Sequence, residues 1–206
     1  MLFNLETWTN WRKKDWEELE RIQIKAIENL MNLPQGTSTW GILKEFGLWP
    51  MKERVAYKMF MILQQILNSK TERLCKKVID AQKKMGYKQC WYSEIEEDAK
   101  RYDIELNAIT KMKKSDWKKM IKIQLKKDIE KQTMKIEKTS SKMRHQKNQK
   151  YERQKYLGER EMKNAKEIVR TKLEMWDLGR NLGNDRKCIY ISTYMWRQRR
   201  NIRTYS

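Results

Sequence analysis

The chain has 206 residues, and its 47 Lys and Arg against 27 Asp and Glu give a formal net charge of +20, with a mean hydropathy of −0.99. Two prolines and seven glycines permit long helices, and this much charge restricts apolar residues to narrow helical stripes. No apolar run approaches the roughly 18 residues that a membrane span needs, and three cysteines do not make a complete disulfide framework. The first six residues also lack a signal-peptide pattern, so we expect an intracellular protein, nuclear or cytoplasmic and not secreted. The fold class that we expect is all-α.

The first predicted helix begins near Asp15 and Glu18, which are spaced as a capping pair, and ends at Pro34 and Gly36. Apolar residues recur along it at helical spacing. The residues predicted to face inward are Leu19, Ile22, Ala26, Ile27, Leu30 and Leu33.

A short turn of helix is predicted from Trp40 to Phe46, after the capping hydroxyls of residues 37–39. Gly47 suits a left-handed C-terminal position, and Pro50 suits the first turn of the next helix. That helix is predicted to bury Val55, Met59, Ile62, Leu63 and Ile66.

Residues 70–86 predict another helix, closed by Gly86, with Leu74, Val78 and Ile79 facing inward. Ser93 and Glu96 are spaced as a capping pair for a short helix that follows. Trp91 and Tyr92 stand at the joint between these two helices. Their aromatic rings indicate core packing, with a base-stacking platform as the alternative.

The longest predicted helix runs from Asp116 to about Lys138, with Ser115 as its cap and an inward stripe of Trp117, Met120, Ile121, Leu125 and Ile129. Residues 101–206 carry 30 Lys and Arg against 13 Asp and Glu, and many of these cations lie on or just before this helix. Spacings of three and four would place several on one side, where a polyanion could neutralise them. The candidate nucleic-acid-binding residues are Lys111, Lys113, Lys114, Lys118, Lys119, Lys122, Lys126, Lys127 and Lys131. A solvated helix face is the alternative.

The last third of the chain is predicted as a polar hinge over residues 139–155, followed by a helix from Glu161 to about Leu178. Arg170 and Lys172 are predicted to face outward on this helix, and the residues predicted to face inward are Met162, Ala165, Ile168, Val169, Leu173 and Trp176. His145 has no Cys, Asp or Glu cluster beside it, which favours a solvated surface residue. Cys188 has no partner ligands for zinc, which requires four donors. The basic tail, residues 188–206, is read either as an unselected extension or as a nucleic-acid-binding or nuclear-import segment.

The order of several short segments resembles the region that follows the polymerase domain in non-LTR (LINE-type) retrotransposon proteins. These segments are Glu18-Leu-Glu-Arg-Ile-Gln23, Asn32-Leu-Pro-Gln-Gly-Thr37, Gly47-Leu-Trp-Pro50, Lys52-Glu-Arg54, Cys90-Trp-Tyr-Ser-Glu-Ile95, Lys114-Ser-Asp-Trp-Lys-Lys119 and Leu173-Glu-Met-Trp-Asp-Leu178. The resemblance covers about Leu5 to Cys188. It implies a helical extension downstream of the catalytic palm. The paired aspartates that hold metal ions in such polymerases have no counterpart here, because the chain contains no Asp-Asp pair.

Together these features predict an elongated assembly of about six helices. The predicted regions are a helical region resembling the post-polymerase extension, 1–103, a basic helical region, 104–187, and the tail. The sequence shows no glycine-rich phosphate loop, nucleophile-base-acid set or metal cluster, so we predict no enzyme activity, no cofactor and no small-molecule substrate.

The predicted function is that of a catalytically inactive remnant which binds RNA or DNA without sequence preference. Another predicted partner is the missing polymerase domain of a related element, and no membrane contact is expected. The lost contact with that domain would leave apolar residues exposed near Trp8, Trp11 and Trp16. The alternative is a decayed structural fragment with no selected activity.

Overall fold

The computed structural model describes residues 5–7, 9–34, 36–69, 73–86, 89–139, 149–159 and 162–181. These ranges contain helices and no strand, which confirms the all-α prediction. Two 3-10 turns, Leu5–Thr7 and Leu106–Ala108, accompany the α-helices. The described helices are α1 (Lys13–Met31), α2 (Thr39–Phe46), α3 (Met51–Leu67), α4 (Leu74–Met85), α5 (Trp91–Arg101), α6 (Lys114–Thr139), α7 (Tyr156–Glu159) and α8 (Met162–Asn181).

The described ranges hold eight α-helices where about six were expected, because the short turn at α2 is a true helix and α7 was not predicted. The basic tail, Cys188, His145 and Trp8 lie outside the described residues. Cys75 and Cys90 form no disulfide. None of the described helices combines the length and apolar character needed to cross a membrane.

Helix α6 contributes to both hydrophobic clusters of the core. Its residues Trp117, Ile121 and Leu125 pack with α3 and α5 in the first cluster, and Ile129 packs with α1, α2 and α8 in the second. All four are fully buried, as the apolar period predicted, and Met120 packs at the edge of the first cluster. Burial of each aliphatic side chain contributes about 1.5–3 kcal/mol. The inner face of α6 is therefore fixed by packing, although the helix begins at Lys114 and so includes Ser115 in its first turn.

The buried face of α1 agrees with the prediction only in part. Ile22 and Leu30 are 58% and 55% exposed, and Ala26 is also exposed. Leu33 is buried as predicted, and Leu19 and Ile27 pack half-buried against the core. Ile24 and Met31 are also buried and pack against α2, although they were not predicted to face inward. Two apolar stripes share the helical period here, and only packing against the neighbouring helices selects one of them.

The helix starts also correct the predicted capping pairs. Arg12 precedes α1, and its backbone N–H donates to the carboxylate of Asp15 at 2.9 Å. This hydrogen bond holds the pKa of Asp15 below its usual value. Cys90 precedes α5, and its backbone N–H donates to the Ser93 hydroxyl at 3.1 Å. Asp15 and Ser93 therefore act from inside the first turn instead of preceding the helix.

Helix α4 buries only Ile79 of its three predicted inward residues, since Leu74 and Val78 are 74% and 45% exposed. The glycine predicted to close this helix, Gly86, does adopt the left-handed conformation, with φ 61°. The predicted end of the helix was therefore correct, but the predicted buried face was not. Leu74 and Val78 lie four residues apart on the solvent side.

Trp91 and Tyr92, the first two residues of α5, belong to the core. Tyr92 is buried, and the Trp91 indole N–H donates to the carbonyl of Glu6 at 2.7 Å. Trp11 and Trp16 are also half-buried, with ring centroids 4.8 Å apart. The structure therefore confirms core packing at the joint. Trp11 and Trp16 are therefore not themselves exposed, and the exposed apolar side chains on α1 are Ile22 and Leu30.

The segment before α7 is packed where a polar hinge was predicted. Tyr151 is buried, and its hydroxyl donates to the carbonyl of Leu48 at 2.6 Å. Removal of this phenol from water raises its pKa. In α8 the predicted inward residues Ala165 and Val169 are buried, whereas Met162 is 55% exposed. Residues 149–159 thus lie across the surface of α2.

Candidate nucleic-acid interface

The nine candidate lysines all lie at the surface. Lys111 and Lys113 precede α6, Lys114 is its first residue, and the other six follow along the helix. Every one of these side chains belongs to an exposed residue. The packing of the inner stripe of α6 therefore leaves the lysine ammonium groups in solvent.

Only one of the nine lysines has an acidic partner within the described part of the chain. The Lys126 ammonium lies 3.8 Å from a carboxylate oxygen of Glu130. Lys122 lies 6.0 Å from the ring centroid of Tyr57, a distance typical of a weak cation–π contact. Like charges three or four residues apart on a helix cost about 0.2–0.5 kcal/mol per pair, so a bound polyanion would relieve this repulsion.

Several of the helical lysines share one side of α6, as their spacing predicted, and the others are spread around its exposed surface. At about 100° per residue, Lys119, Lys122 and Lys126 form one row along the exposed half of α6. Lys127 and Lys131 lie on the other flank. Lys138, which sequence reasoning missed, continues that second row at a spacing of seven residues.

A strip without cations separates the two lysine rows. This central strip consists of Asp116, Ile123, Glu130 and Met134, which recur at spacings of seven and four. Ile123 and Met134 are 56% and 60% exposed. The two rows occupy successive stretches of α6, residues 119–126 and then 127–138, so each stretch has its lysines on one side of the strip.

A partly buried polar cluster sets the rotation of α6 against α3 and α5. The Gln132 amide donates to Glu53 at 3.2 Å and to Asp128 at 2.6 Å. The Arg101 guanidinium lies 3.6 Å from Glu53 and 3.8 Å from Asp128. Burial raises the pKa of Glu53, and nearby Arg101 opposes that rise. This arrangement supports the orientation of the lysine rows.

The C-terminal part of α6 is held by a second polar contact. Lys44 on α2 is only 3% exposed and forms an ion pair with Glu137. Thr133, one turn earlier, is also buried, and its hydroxyl donates to the carbonyl of Ile129. Sequence reasoning found neither Lys44 nor Glu137, because a long-range pair leaves no periodic signal.

Two carboxylates of α5 lie close to the segment before α1. Glu94 accepts a hydrogen bond from the backbone N–H of Asn10, and it lines a cavity of about 130 Å³ with Asp98 and Lys52. Burial raises the pKa of both Glu94 and Asp98. Across the described ranges, no group of three or more His, Cys, Asp or Glu is placed to hold a metal ion. Glu94 therefore tethers the segment before α1 through Asn10.

No protein-family model, curated protein or solved structure matches the chain. The case for a function therefore depends on the residues and contacts described above.

Proposed function

We propose that this chain is a catalytically inactive remnant of a non-LTR retrotransposon reverse transcriptase protein, and that it binds the phosphate backbone of RNA or DNA. One observation carries the binding function. Of the nine exposed lysines on and before α6, all except Lys126 lack an acidic partner within the described residues. Such a surface suits a polyanion. The resemblance of the sequence to the post-polymerase region favours a nucleic acid as that polyanion.

Phosphate contact explains why many lysines and few specific groups would suffice. Each phosphate that a lysine neutralises releases condensed counterions, so affinity falls steeply as salt rises. Contacts of this kind position a protein on nucleic acid but carry no sequence information. We therefore expect strong salt dependence and little discrimination between sequences.

A charge-reversal experiment tests this function. The purified chain is titrated against labelled single-stranded RNA and duplex DNA across a salt series, with fluorescence anisotropy as the readout. The test variant changes Lys118, Lys119, Lys122, Lys126 and Lys127 to Glu. The matched control changes five exposed lysines elsewhere to Glu, namely Lys14, Lys25, Lys77, Lys84 and Lys100.

Both variants lower the net charge equally, so a difference between them reports the location of binding. We expect the α6 variant to lose at least about a hundredfold in affinity at low salt, and the control to lose far less. Equal losses would show that net charge alone drives binding and would contradict a site on α6. No binding by the unmodified chain at low salt would overturn the function and favour a decayed fragment without activity. Circular dichroism checks that each variant remains helical.

A further inference from the structure

We propose that the outer face of α4 is a docking surface for an acidic amphipathic helix of a partner protein. That face, the α4 stripe, consists of Leu74, Val78, Ala81 and Met85. The inference goes beyond nucleic-acid binding, because the stripe is apolar and lies on a different helix from the candidate lysines of α6.

Contacts on the opposite side of α4 turn the stripe toward solvent. Ile79 is 3% exposed and packs in the first hydrophobic cluster. The side-chain oxygen of Gln82 accepts a hydrogen bond from the backbone N–H of Tyr92 at 3.3 Å, and the Lys83 ammonium lies 4.8 Å from the centroid of the Tyr92 ring. These contacts with α5 fix the rotation of α4, so part of the predicted inner face lies in solvent.

The exposed apolar surface is concentrated on this short helix. Leu74, Val78 and Met85 are 74%, 45% and 63% exposed, whereas Ala81 is half-buried. These three are among only eight large apolar side chains that are exposed in the described residues, and they share a helix of 12 residues. Single exposed apolar side chains are ordinary, but a contiguous patch is typical of an interaction site.

The spacing of the α4 stripe favours a helix as the occupant. Its four residues follow one another at intervals of four, three and four, which is the spacing that presents one seam to a second helix in a coiled coil. The stripe extends about 16 Å along α4, enough for about three turns of a docked helix. Amphipathic helices commonly bind partners through anchors spaced in this way.

The charge around the stripe favours an acidic occupant. Residues 73–85 contain a single carboxylate, that of Asp80, and five cations. Lys77 and Lys84 occupy the positions that flank the seam, where acidic residues of a partner helix would pair with them. A second copy of α4 would bring further cations beside them, so self-association is disfavoured. The five cations, none with an acidic partner within the described residues, are Arg73, Lys76, Lys77, Lys83 and Lys84.

An anionic lipid surface is disfavoured because the stripe is narrow. Helices that lie in a membrane interface have a large apolar face, commonly with Trp, Phe or Leu. Helix α4 has three exposed large apolar side chains and no aromatic residue. The stripe therefore suits one partner helix better than a lipid surface.

Titration of the full chain with a synthetic helix tests the proposal. The probe is a labelled peptide of about three heptads, with Leu at the a and d positions and Glu at the e and g positions. A peptide of the same composition in scrambled order has the same charge but no apolar seam. Fluorescence anisotropy at physiological salt measures both affinities. We expect the amphipathic peptide to bind at least about tenfold more tightly than the scrambled one.

Two matched pairs of neutral substitutions locate the contact. Leu74→Gln with Met85→Gln removes apolar surface from the α4 stripe. Ile22→Gln with Leu30→Gln is the control on α1, where both side chains are also more than half exposed. We expect the α4 variant to lose about tenfold in affinity for the amphipathic peptide and the α1 variant less than about twofold. Circular dichroism verifies that both variants are folded.

The exposed thiol of Cys75 supplies a local readout, because it lies at a position that borders the seam. The amphipathic peptide should slow the alkylation of Cys75 by iodoacetamide about threefold or more, as measured by mass spectrometry, whereas the scrambled peptide should not. Such protection distinguishes docking on α4 from attraction of an acidic peptide to the lysines of α6.

Several outcomes would overturn the proposal. Equal affinity for the two peptides, or equal effects of the α4 and α1 variants, would contradict docking on α4. Dimerisation of the unmodified chain that the α4 variant abolishes would assign the stripe to a second copy. Binding to phosphatidylserine vesicles that this variant abolishes would assign it to a lipid surface. None of these results contradicts nucleic-acid binding, because the α4 variant keeps every lysine.

Discussion

The ammonium group of Lys172 on α8 lies 2.8 Å from a carboxylate oxygen of Glu45 on α2. The Glu45 side chain is fully buried, and the Tyr156 hydroxyl donates to the same oxygen. The second carboxylate oxygen of Glu45 has no hydrogen-bond partner. This ion pair connects two helices whose residues are more than a hundred positions apart in sequence. Lys172 supplies the cation that balances the buried carboxylate of Glu45.

We expect Lys172→Met to lower the free energy of unfolding by about 2–3 kcal/mol, because it leaves a buried carboxylate without its cation. This value lies below the range of about 3–5 kcal/mol for fully buried pairs, because the Lys172 side chain is 32% exposed and solvent weakens the pair. Urea denaturation followed by circular dichroism measures the change. The double variant Glu45→Leu with Lys172→Met should recover most of the loss. If the double variant were no more stable than Lys172→Met alone, the unpaired carboxylate would not be the cause.

Gly47 and Gly86 form a matched pair for a test of close packing. Both adopt a left-handed conformation with φ 61°. A Cβ atom at Gly86 would meet nothing within 4 Å, whereas one at Gly47 would lie 2.2 Å from the backbone nitrogen of Arg153. Gly86→Ala should therefore cost about 1–2 kcal/mol, the penalty of the left-handed conformation alone.

Gly47→Ala should cost about 2 kcal/mol more than Gly86→Ala, because the backbone at Arg153 must also move. Denaturant midpoints of the two variants measure the difference. Equal midpoints would mean that residues 149–159 do not pack against the end of α2.

Gln64 on α3 is a buried amide whose oxygen and nitrogen both lack hydrogen-bond partners, at 2% exposure. Replacement by Met keeps the shape of the side chain and removes the unmet polar groups, so we expect Gln64→Met to raise stability by about 1 kcal/mol. Gln132→Met is the opposite case, because Gln132 donates to both Glu53 and Asp128. It should lower stability by about 1–2 kcal/mol. Thermal denaturation compares them, and a loss of stability in Gln64→Met would contradict the prediction.

The pH dependence of stability should reflect Glu53. Its pKa is raised in the folded protein above the ordinary value of 4.5, chiefly by burial. The folded state therefore binds a proton more readily than the unfolded chain, so the contribution of Glu53 to stability increases as pH falls through the raised pKa toward 4.5. Glu20, Glu94 and Asp98 have pKa values raised by burial and act in the same direction.

We expect the free energy of unfolding to rise as the pH is lowered from neutral toward about 5. Glu53→Gln should be more stable than the unmodified chain at neutral pH and should show a weaker dependence over this interval. Urea denaturation at several pH values measures both effects. Identical pH profiles for the two proteins would rule out a role of Glu53.

Local sequence signals predicted the helices well. The stripe on α6 was correct because Trp117, Ile121, Leu125 and Ile129 form a single apolar face with no competing one. Gly47 and Gly86 were correctly placed in the left-handed conformation because helix ends require it and glycine adopts it without a Cβ penalty. These features depend on neighbours within a few residues.

The nine candidate lysines were also found from sequence, since a long charged side chain rarely becomes buried without a partner. Their distribution around α6 follows from the helical period alone, at about 100° per residue. Lys172 was predicted to point outward and instead pairs with Glu45. Periodicity identifies which residues share a face, but not what lies opposite that face.

The sequence by itself determined that this chain is helical, where its main helices lie and where its positive charge is concentrated. Only the tertiary structure decided which apolar stripe of α1 is buried, that Leu74 and Val78 on α4 stay in solvent, and that buried Glu45 holds α8 through Lys172. The physical reason is the separation along the sequence over which each interaction acts. Helix propensity and capping act within a few residues, whereas burial and ion pairing depend on segments that are distant in sequence and meet only when the chain folds.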